Sequence, residues 1–214
     1  MTGDIVWTGT EQDWNEIDRD IDSLGINVYF AAGNHDVTDR TLYETRYGDT
    51  YYCFKIYEDL FIVLDPNLDH WNISGEQLQF FNNTIIQQKD SCNIIFVFFH
   101  QLLWWEENNR YRNVIPNSYA NRADSINFWT DVEPLLHGLD KPVILFAGDV
   151  GAGSWSADYM YHTYDNITLI ASGMGEGEGD NFIIVQVHAD KTIDYQLIAL
   201  SGNGLGNLTD YVLP

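Results

Sequence analysis

Apolar residues arrive along this chain in short runs that stop abruptly at polar ones. Val28–Ala32 ends in Gly33-Asn34-His35-Asp36, Asn93–Phe99 ends in His100, and Val143–Ala147 ends in Gly148-Asp149. Near the start, Gly3-Asp4 stands in the same relation to what precedes it. Runs of this length without alternation predict strands buried on both faces, and polar groups that do chemistry collect where such strands meet loops. Between the first two sites, Thr10-Glu-Gln-Asp13 reads as a capping box. Trp14, Ile17, Ile21 and Leu24 then share one helical face until Gly25 ends the helix. A strand, this helix and a second strand over Asn27–Ala32 would place Asp4 and Asn34 at one sheet edge by a right-handed crossover.

Further along, Tyr51–Tyr57 and Leu60–Leu64 predict a hairpin around Glu58-Asp59. Ser74-Gly-Glu-Gln77 reads as a second capping box, opening a helix with Leu78, Phe81 and Ile85 on one face. Residues 101–124 show little periodicity but many aromatic and basic side chains, among them Trp104, Trp105, Arg110, Tyr111, Arg112, Tyr119 and Arg122. Ile126, Trp129, Val132 and Leu136 predict a helix strained or ended near Pro134. The last part is strand-like over Ile167–Ala171, Phe182–Val187 and Ile193–Leu200, and Gly173–Gly179 reads as a flexible turn because no helix follows it.

Composition narrows this picture. A chain of 214 residues with 45% hydrophobic content forms one domain with a sizeable core. Its net charge of −22 opposes binding to nucleic acid and to anionic membranes. No apolar window reaches the roughly 20 residues of a membrane span, and no signal peptide opens the chain, which leaves the compartment unassigned. Cys53 and Cys92 each sit inside a strand-like run and read as buried thiols, not as a disulfide framework. Asn72, Asn82, Asn166 and Asn207 head glycosylation sequons, which an Asn-rich chain also produces by chance.

Four apolar runs, each ending in a side chain able to bind a metal, suggest a shared site. Their order resembles the calcineurin-like metallophosphoesterases, whose signature is D-x-H, G-D, G-N-H-D, a lone H and G-H-x-H. The resemblance spans nearly the whole chain and departs from the signature at both ends. No D-x-H precedes Gly3-Asp4, and Gly148-Asp149-Val-Gly151 stands where G-H-x-H is expected.

The resemblance implies an α/β (α+β four-layer) fold, two mixed β-sheets packed as a sandwich flanked by helices, in a single domain over 1–214. It also implies that a first strand carrying D-x-H lies upstream, with Met1 an internal methionine of a longer reading frame. It further implies hydrolysis of a phosphate ester by metal-activated water, with a phosphorylated small molecule or other phosphoester as substrate. By position, Asp4 matches the bridging aspartate, and Asn34 and His100 match ligands of one metal. His35 and Asp36 match the proton donor and its orienting partner, and Asp149 takes the place of a ligating histidine. This leaves one plausible ligand set, Asp4, Asn34, His100 and Asp149, for a divalent transition metal such as Zn, Mn or Fe, and a second site incomplete. His162 is the spare that would supply the missing last ligand if its loop folds back.

Arg110, Arg112 and Arg122, following His100, are candidates to bind the substrate's phosphate, since guanidinium forks match phosphate oxygens. With Arg40 and Arg46 they have equally good local carboxylate partners. Two rivals accompany the phosphoesterase reading. One is a catalytically degenerate family member acting as a binding or scaffold module. The other is a sugar-directed hydrolase suggested by the tryptophans, although no carboxylate pair stands out for it.

Overall fold

The computed structural model describes residues 1–175, 177–200 and 204–214. It is a mixed α/β protein with a six-stranded sheet in the order β1-β2-β3-β4-β6-β5 and a separate two-stranded sheet, β7-β8. The large sheet comprises β1 Tyr52–Ile56, β2 Asp59–Val63, β3 Ile95–Phe98, β4 Val143–Ala147, β5 Tyr159–Tyr164 and β6 Ile167–Ser172. Strands β2, β3, β4 and β6 are parallel, while β1 and β5 form antiparallel edges. The register Phe98↔Phe146 and Ala147↔Ala171 aligns the carboxyl ends of the central strands, so the loops after them open on the same side.

Each face of this sheet has its own core. Ile95, Val97, Phe99, Val143 and Leu145 pack with α3 Gly75–Gln88, through Phe81 and Ile85, and with Phe128, Val132 and Leu136. The alternate residues Ile94, Phe96, Ile144, Phe146 and Ile170 pack against β7 Asn181–Val187 and β8 Ile193–Ala199 through Ile183, Val185, Tyr195 and Leu197. This period of two is the strand geometry at work on a doubly covered sheet. The second layer is therefore a hairpin, not the mixed sheet expected. Strand β5 was also not foreseen, because Tyr159–Tyr164 interleaves apolar rings with His162 and Thr163 and has no run of aliphatics.

The first 47 residues build a smaller core from Val6, Trp14, Phe30, Ala32 and Tyr43. Helix α1 Glu11–Leu24 is capped as predicted, with the Thr10 side chain accepting from Asp13 N and Gly25 left-handed at φ 63°. Leu24 is exposed, contrary to its place in the helical pattern, because the core lies under the preceding turns. The segment Asn27–Ala32 is extended but joins no sheet. Ala31 N–H donates to Met1 O at 2.9 Å, and the Tyr52 hydroxyl serves both the N–H and the C=O of Phe30 where a neighbouring strand would have been. Ring stacking of Tyr29 on Phe54 (4.1 Å) closes that flank of β1.

Three other expectations change in the structure. The Ser74 side chain does not cap α3 but donates to Asp69, and Gln77 reaches instead for the backbone of Asp65, accepting its N–H at 2.6 Å. Phe128–Val132 is a π-helical turn running into α4 Glu133–Leu136, with Pro134 in the first turn of the latter, where a missing N–H costs least. Cys53 is exposed on edge strand β1, and only Cys92 is buried. Within the glycine-rich turn, Glu176 lies outside the described residues; Asp180 Oδ1 accepts from the N–H groups of Gly175 and Gly177. Among the described residues no helix is long and apolar enough to cross a membrane.

Candidate metal centre

Three glycines let the strand ends converge. A Cβ on Gly33 would lie 2.2 Å from Asp4 N, one on Gly148 would lie 2.1 Å from Thr2 O, and one on Gly3 would lie 2.6 Å from His100 Nδ1. The glycines before Asp4, Asn34 and Asp149 are thus required by close approach, and at Gly3 also by its φ of 88°. Asp4 itself is left-handed at φ 50°, a conformation that aspartate tolerates better than most residues.

His100 is the centre of the arrangement. Its side chain is buried, its Nδ1 faces Thr2 O at 2.8 Å, and its Nε2 lies 3.2 Å from Asp4 Oδ2 and 3.8 Å from Asp149 Oδ1. A carbonyl only accepts, so Nδ1 carries a proton, and when the ring is neutral it is Nε2 that turns a lone pair toward the two carboxylates. Despite this proximity, Nε2 has no aligned hydrogen-bond partner.

The charges reflect this crowding. Burial alone would lower the His100 pKa, but Asp4, then Asp149 and the Thr2 carbonyl, raise it to about 9. Burial raises the Asp149 carboxyl to about 7, with the Asp4 charge adding to the shift and His100 opposing it. Burial also pushes Asp4 upward, yet the close His100 and His35 rings and the His35 N–H it accepts leave it below the ordinary value. Two carboxylates and an imidazole at such spacing would be relieved by a cation between them.

Asp4 also orders the Gly33-Asn34-His35-Asp36 loop, its Oδ1 accepting from His35 N at 3.0 Å. Asn34 is half-buried in that loop. The His35 imidazole is held by Trp7, whose carbonyl lies 2.6 Å from Nδ1 and whose ring is centred 5.2 Å away. His35 Nε2 then lies 4.0 Å from Asp4 Oδ2. Asp36, expected to orient His35, does other work. Wholly buried, it accepts from Ile5 N (2.8 Å), Val6 N (3.1 Å) and Gly33 N (2.8 Å), tying the loop to the segment after Asp4. Trp7 is the residue that orients His35.

Asp149 is held from two sides. Its N–H and that of Gly148 both donate to His100 O, at 3.0 and 2.9 Å, and its carbonyl accepts from Asn117 N at 2.9 Å. The Asn117 side chain donates to Val150 O and accepts from Ala152 N, so one residue of the long loop clamps the turn after β4. Behind His100, Gln101 Nε2 donates to Asn67 Oδ1 at 2.6 Å, and Asn67 donates to Ala32 O at 3.0 Å. Gln101 was legible only as the neighbour of His100, and nothing in the local sequence marks Asn117 or Asn67.

The other candidates lie elsewhere. His162 sits inside β5, with Nδ1 at 2.9 Å from the Tyr111 hydroxyl, and is not folded back as a replacement ligand. Gly151, at φ 87°, fills the last motif position and abuts the backbone of Gly173. Arg122 pairs with Glu106 at 2.9 Å and lies over the rings of Trp105 and Trp71. Arg40 pairs with Asp65, and Arg46 with Glu11 and Asp18. All three are thus engaged by carboxylates, Arg122 by the Glu106 of its own loop and Arg40 and Arg46 chiefly by acids that folding brings beside them. Arg112 is exposed, and Arg110 lines a separate cavity. Far from an open contact surface, the 101–124 loop buries Trp104, Trp105 and Tyr111.

Among the described residues, no set of three or more His, Cys, Asp or Glu side chains is already gathered into a metal cage. Asp4, His100 and Asp149 form a half-gathered one: the 3.2 and 3.8 Å separations straddle the roughly 3.3–3.4 Å between donors around a tetrahedral ion with bonds of about 2.0–2.1 Å. No protein-family model matches this chain, and no curated protein matches its sequence.

Proposed function

We propose that this chain is a metal-dependent phosphoesterase domain, related in architecture to the calcineurin-like metallophosphoesterases, and that Asp4, Asn34, His100 and Asp149 hold its ion. The observation that carries the reading is the buried, unpartnered Nε2 of His100, with its tautomer set by Thr2 O and two carboxylates facing it. A ligating histidine that donates its other ring N–H to a backbone carbonyl is the usual second-shell arrangement. A bound divalent ion would supply an activated water near neutral pH and positive charge for the phosphoryl oxygens.

The chain's own residues divide the remaining work. Asp4 sets the position of His35 through the backbone, and its second oxygen, beside His100 Nε2, would be free to hold an ion. His35, half-exposed and held at Nδ1 by Trp7 O, presents Nε2 to the approaching ester and donates a proton there to the leaving oxygen. Asn117 and Gly151 keep the turn carrying Asp149 closed on the site.

The test is turnover of p-nitrophenyl phosphate and bis(p-nitrophenyl) phosphate after loading with Mn²⁺, Zn²⁺ or Fe²⁺. Metal-dependent hydrolysis lost in His100→Ala is expected. The scaffold reading has one observation of its own, the absence of a gathered cage among the described residues, which makes the His100–Asp4 pair a clamp between strand ends. Tight packing without metal uptake would favour it.

A further inference from the structure

A cavity of about 610 Å³ opens away from the Asp4–His100–Asp149 centre. Its walls are Tyr111, Trp129 and Tyr164, and its rim carries Glu106, Asn108, Arg110 and Asp165. Tyr164 and Asp165 close the β5–β6 hairpin where Tyr164 pairs with Ile167. Ile167 in turn pairs with Val143, at the end of the large sheet opposite the one from which Asp149 projects. The cavity is therefore a separate feature. Its volume is within the usual range for small-molecule sites.

The three rings are fixed by their polar tips. The Tyr111 hydroxyl is engaged with His162 Nδ1 (2.9 Å), the Trp129 indole N–H donates to Trp104 O (3.2 Å), and the Tyr164 hydroxyl donates to Glu133 (3.1 Å). Tyr111 and Trp129 stack nearly parallel, with centroids 5.8 Å apart and 8° between planes. With their donors committed, the rings offer only apolar surface, already ordered before any ligand arrives. Directional recognition must come from the rim.

The rim's charge decides the ligand class. Glu106 and Asp165 are already engaged, by Arg122 at 2.9 Å and by His137 at 2.9 Å, yet each carboxylate keeps lone pairs free to accept. Arg110 has no ion-pair partner among the described residues, and it and Asn108 supply donors. One guanidinium against two carboxylates, on a chain of net charge −22, disfavours an anion. The same guanidinium at the mouth, with both carboxylates already engaged, disfavours a cation. What remains is a neutral ring with an apolar face and a rim of hydroxyls that both donate and accept. We propose that this cavity is a binding site for a neutral carbohydrate, the pyranose C–H face lying on Trp129 and Tyr164 and the hydroxyls meeting Arg110, Asn108, Glu106 and Asp165. This site is independent of the phosphoesterase reading and implies no cleavage of the sugar.

The test is saturation-transfer NMR on the intact chain, irradiating aromatic protons, with cellotriose, maltotriose and N,N′-diacetylchitobiose at up to about 10 mM as probes. Phenyl phosphate and tetramethylammonium serve as the anionic and cationic alternatives. Transfer to the ring C–H protons of at least one oligosaccharide is expected. Its affinity should weaken about fivefold or more in Arg110→Ala or Asn108→Ala, exposed positions whose loss leaves the melting temperature unchanged. The assignment is overturned by silence from all three sugars, by affinity unchanged in both variants, or by a charged probe binding at the cavity where the sugars do not.

Discussion

The His100 Nδ1 sits 2.8 Å from the carbonyl of Thr2 across a sequence separation of 98 residues, and this one contact fixes which ring nitrogen faces Asp4 and Asp149. It makes the two ends of the site, one near the start of the chain and one after β3, a single unit.

Purified protein loaded with Mn²⁺ or Zn²⁺ and then dialysed should retain at most about one ion per chain, because one donor set converges. His100→Ala should lose both the ion and any hydrolysis. His35→Ala should keep the ion and lower turnover by about 10²–10⁴-fold, as expected for removal of a general acid. Metal analysis alongside steady-state kinetics separates the two, and equal metal loss in both variants would remove the distinction.

Gly33→Ala and Gly148→Ala should each destabilise the fold by about 1–3 kcal/mol, since the added methyl would lie 2.2 Å from Asp4 N and 2.1 Å from Thr2 O, so backbone must shift. Urea denaturation measures the loss. Gly25→Ala is the contrast: its φ of 63° costs strain, but nothing lies within 4 Å of the new methyl, and the metal content should be untouched.

In metal-free protein, stability should fall as pH rises from about 6 to about 9. His100, raised to about 9 from its ordinary 6.5, contributes stability that is full below 6.5 and lost as pH climbs through 9. Asp149, raised to about 7 from 3.8, contributes stability that is full below 3.8 and lost as pH climbs to about 7, so its share of the decline begins below this interval and ends within its lower part. Both signs agree. Thermal melts across this range should show the decline, and saturating Zn²⁺ or Mn²⁺ should flatten it, because a cation replaces the proton as partner to the carboxylates.

Asp36→Ala should cost about 3 kcal/mol or more, since the N–H groups of Ile5, Val6 and Gly33 lose their shared acceptor in a buried setting. The effect should appear in denaturation midpoints. If it instead appeared as a changed pH profile of turnover with stability intact, Asp36 would be acting on His35 after all.

The chain's apolar runs and caps were enough to locate most elements. Val143–Ala147 is a continuous apolar run and Ile167–Ser172 is mostly apolar because both faces of the large sheet are covered, and Thr10 and Gly25 mark the ends of α1 through local hydrogen bonds and a left-handed turn. Candidate ligands were legible for the same local reason, as polar residues where such runs stop. Of the four, Asp4, His100 and Asp149 meet, with the His35 ring beside Asp4.

What only the tertiary structure decided are relationships between distant segments, which no window of sequence encodes. Tyr52 takes the backbone bonds of Phe30, so 27–32 stays outside the sheet. Gln77 answers Asp65, not its own helix end, and Trp7, not Asp36, orients His35. Asn117 clamps the Asp149 turn, while three arginines are neutralised by carboxylates that folding brings beside them. Side-chain type determines what a group can bond. Which partner it bonds is set by long-range packing, where burial makes an unsatisfied polar group costly and removes the freedom to choose locally.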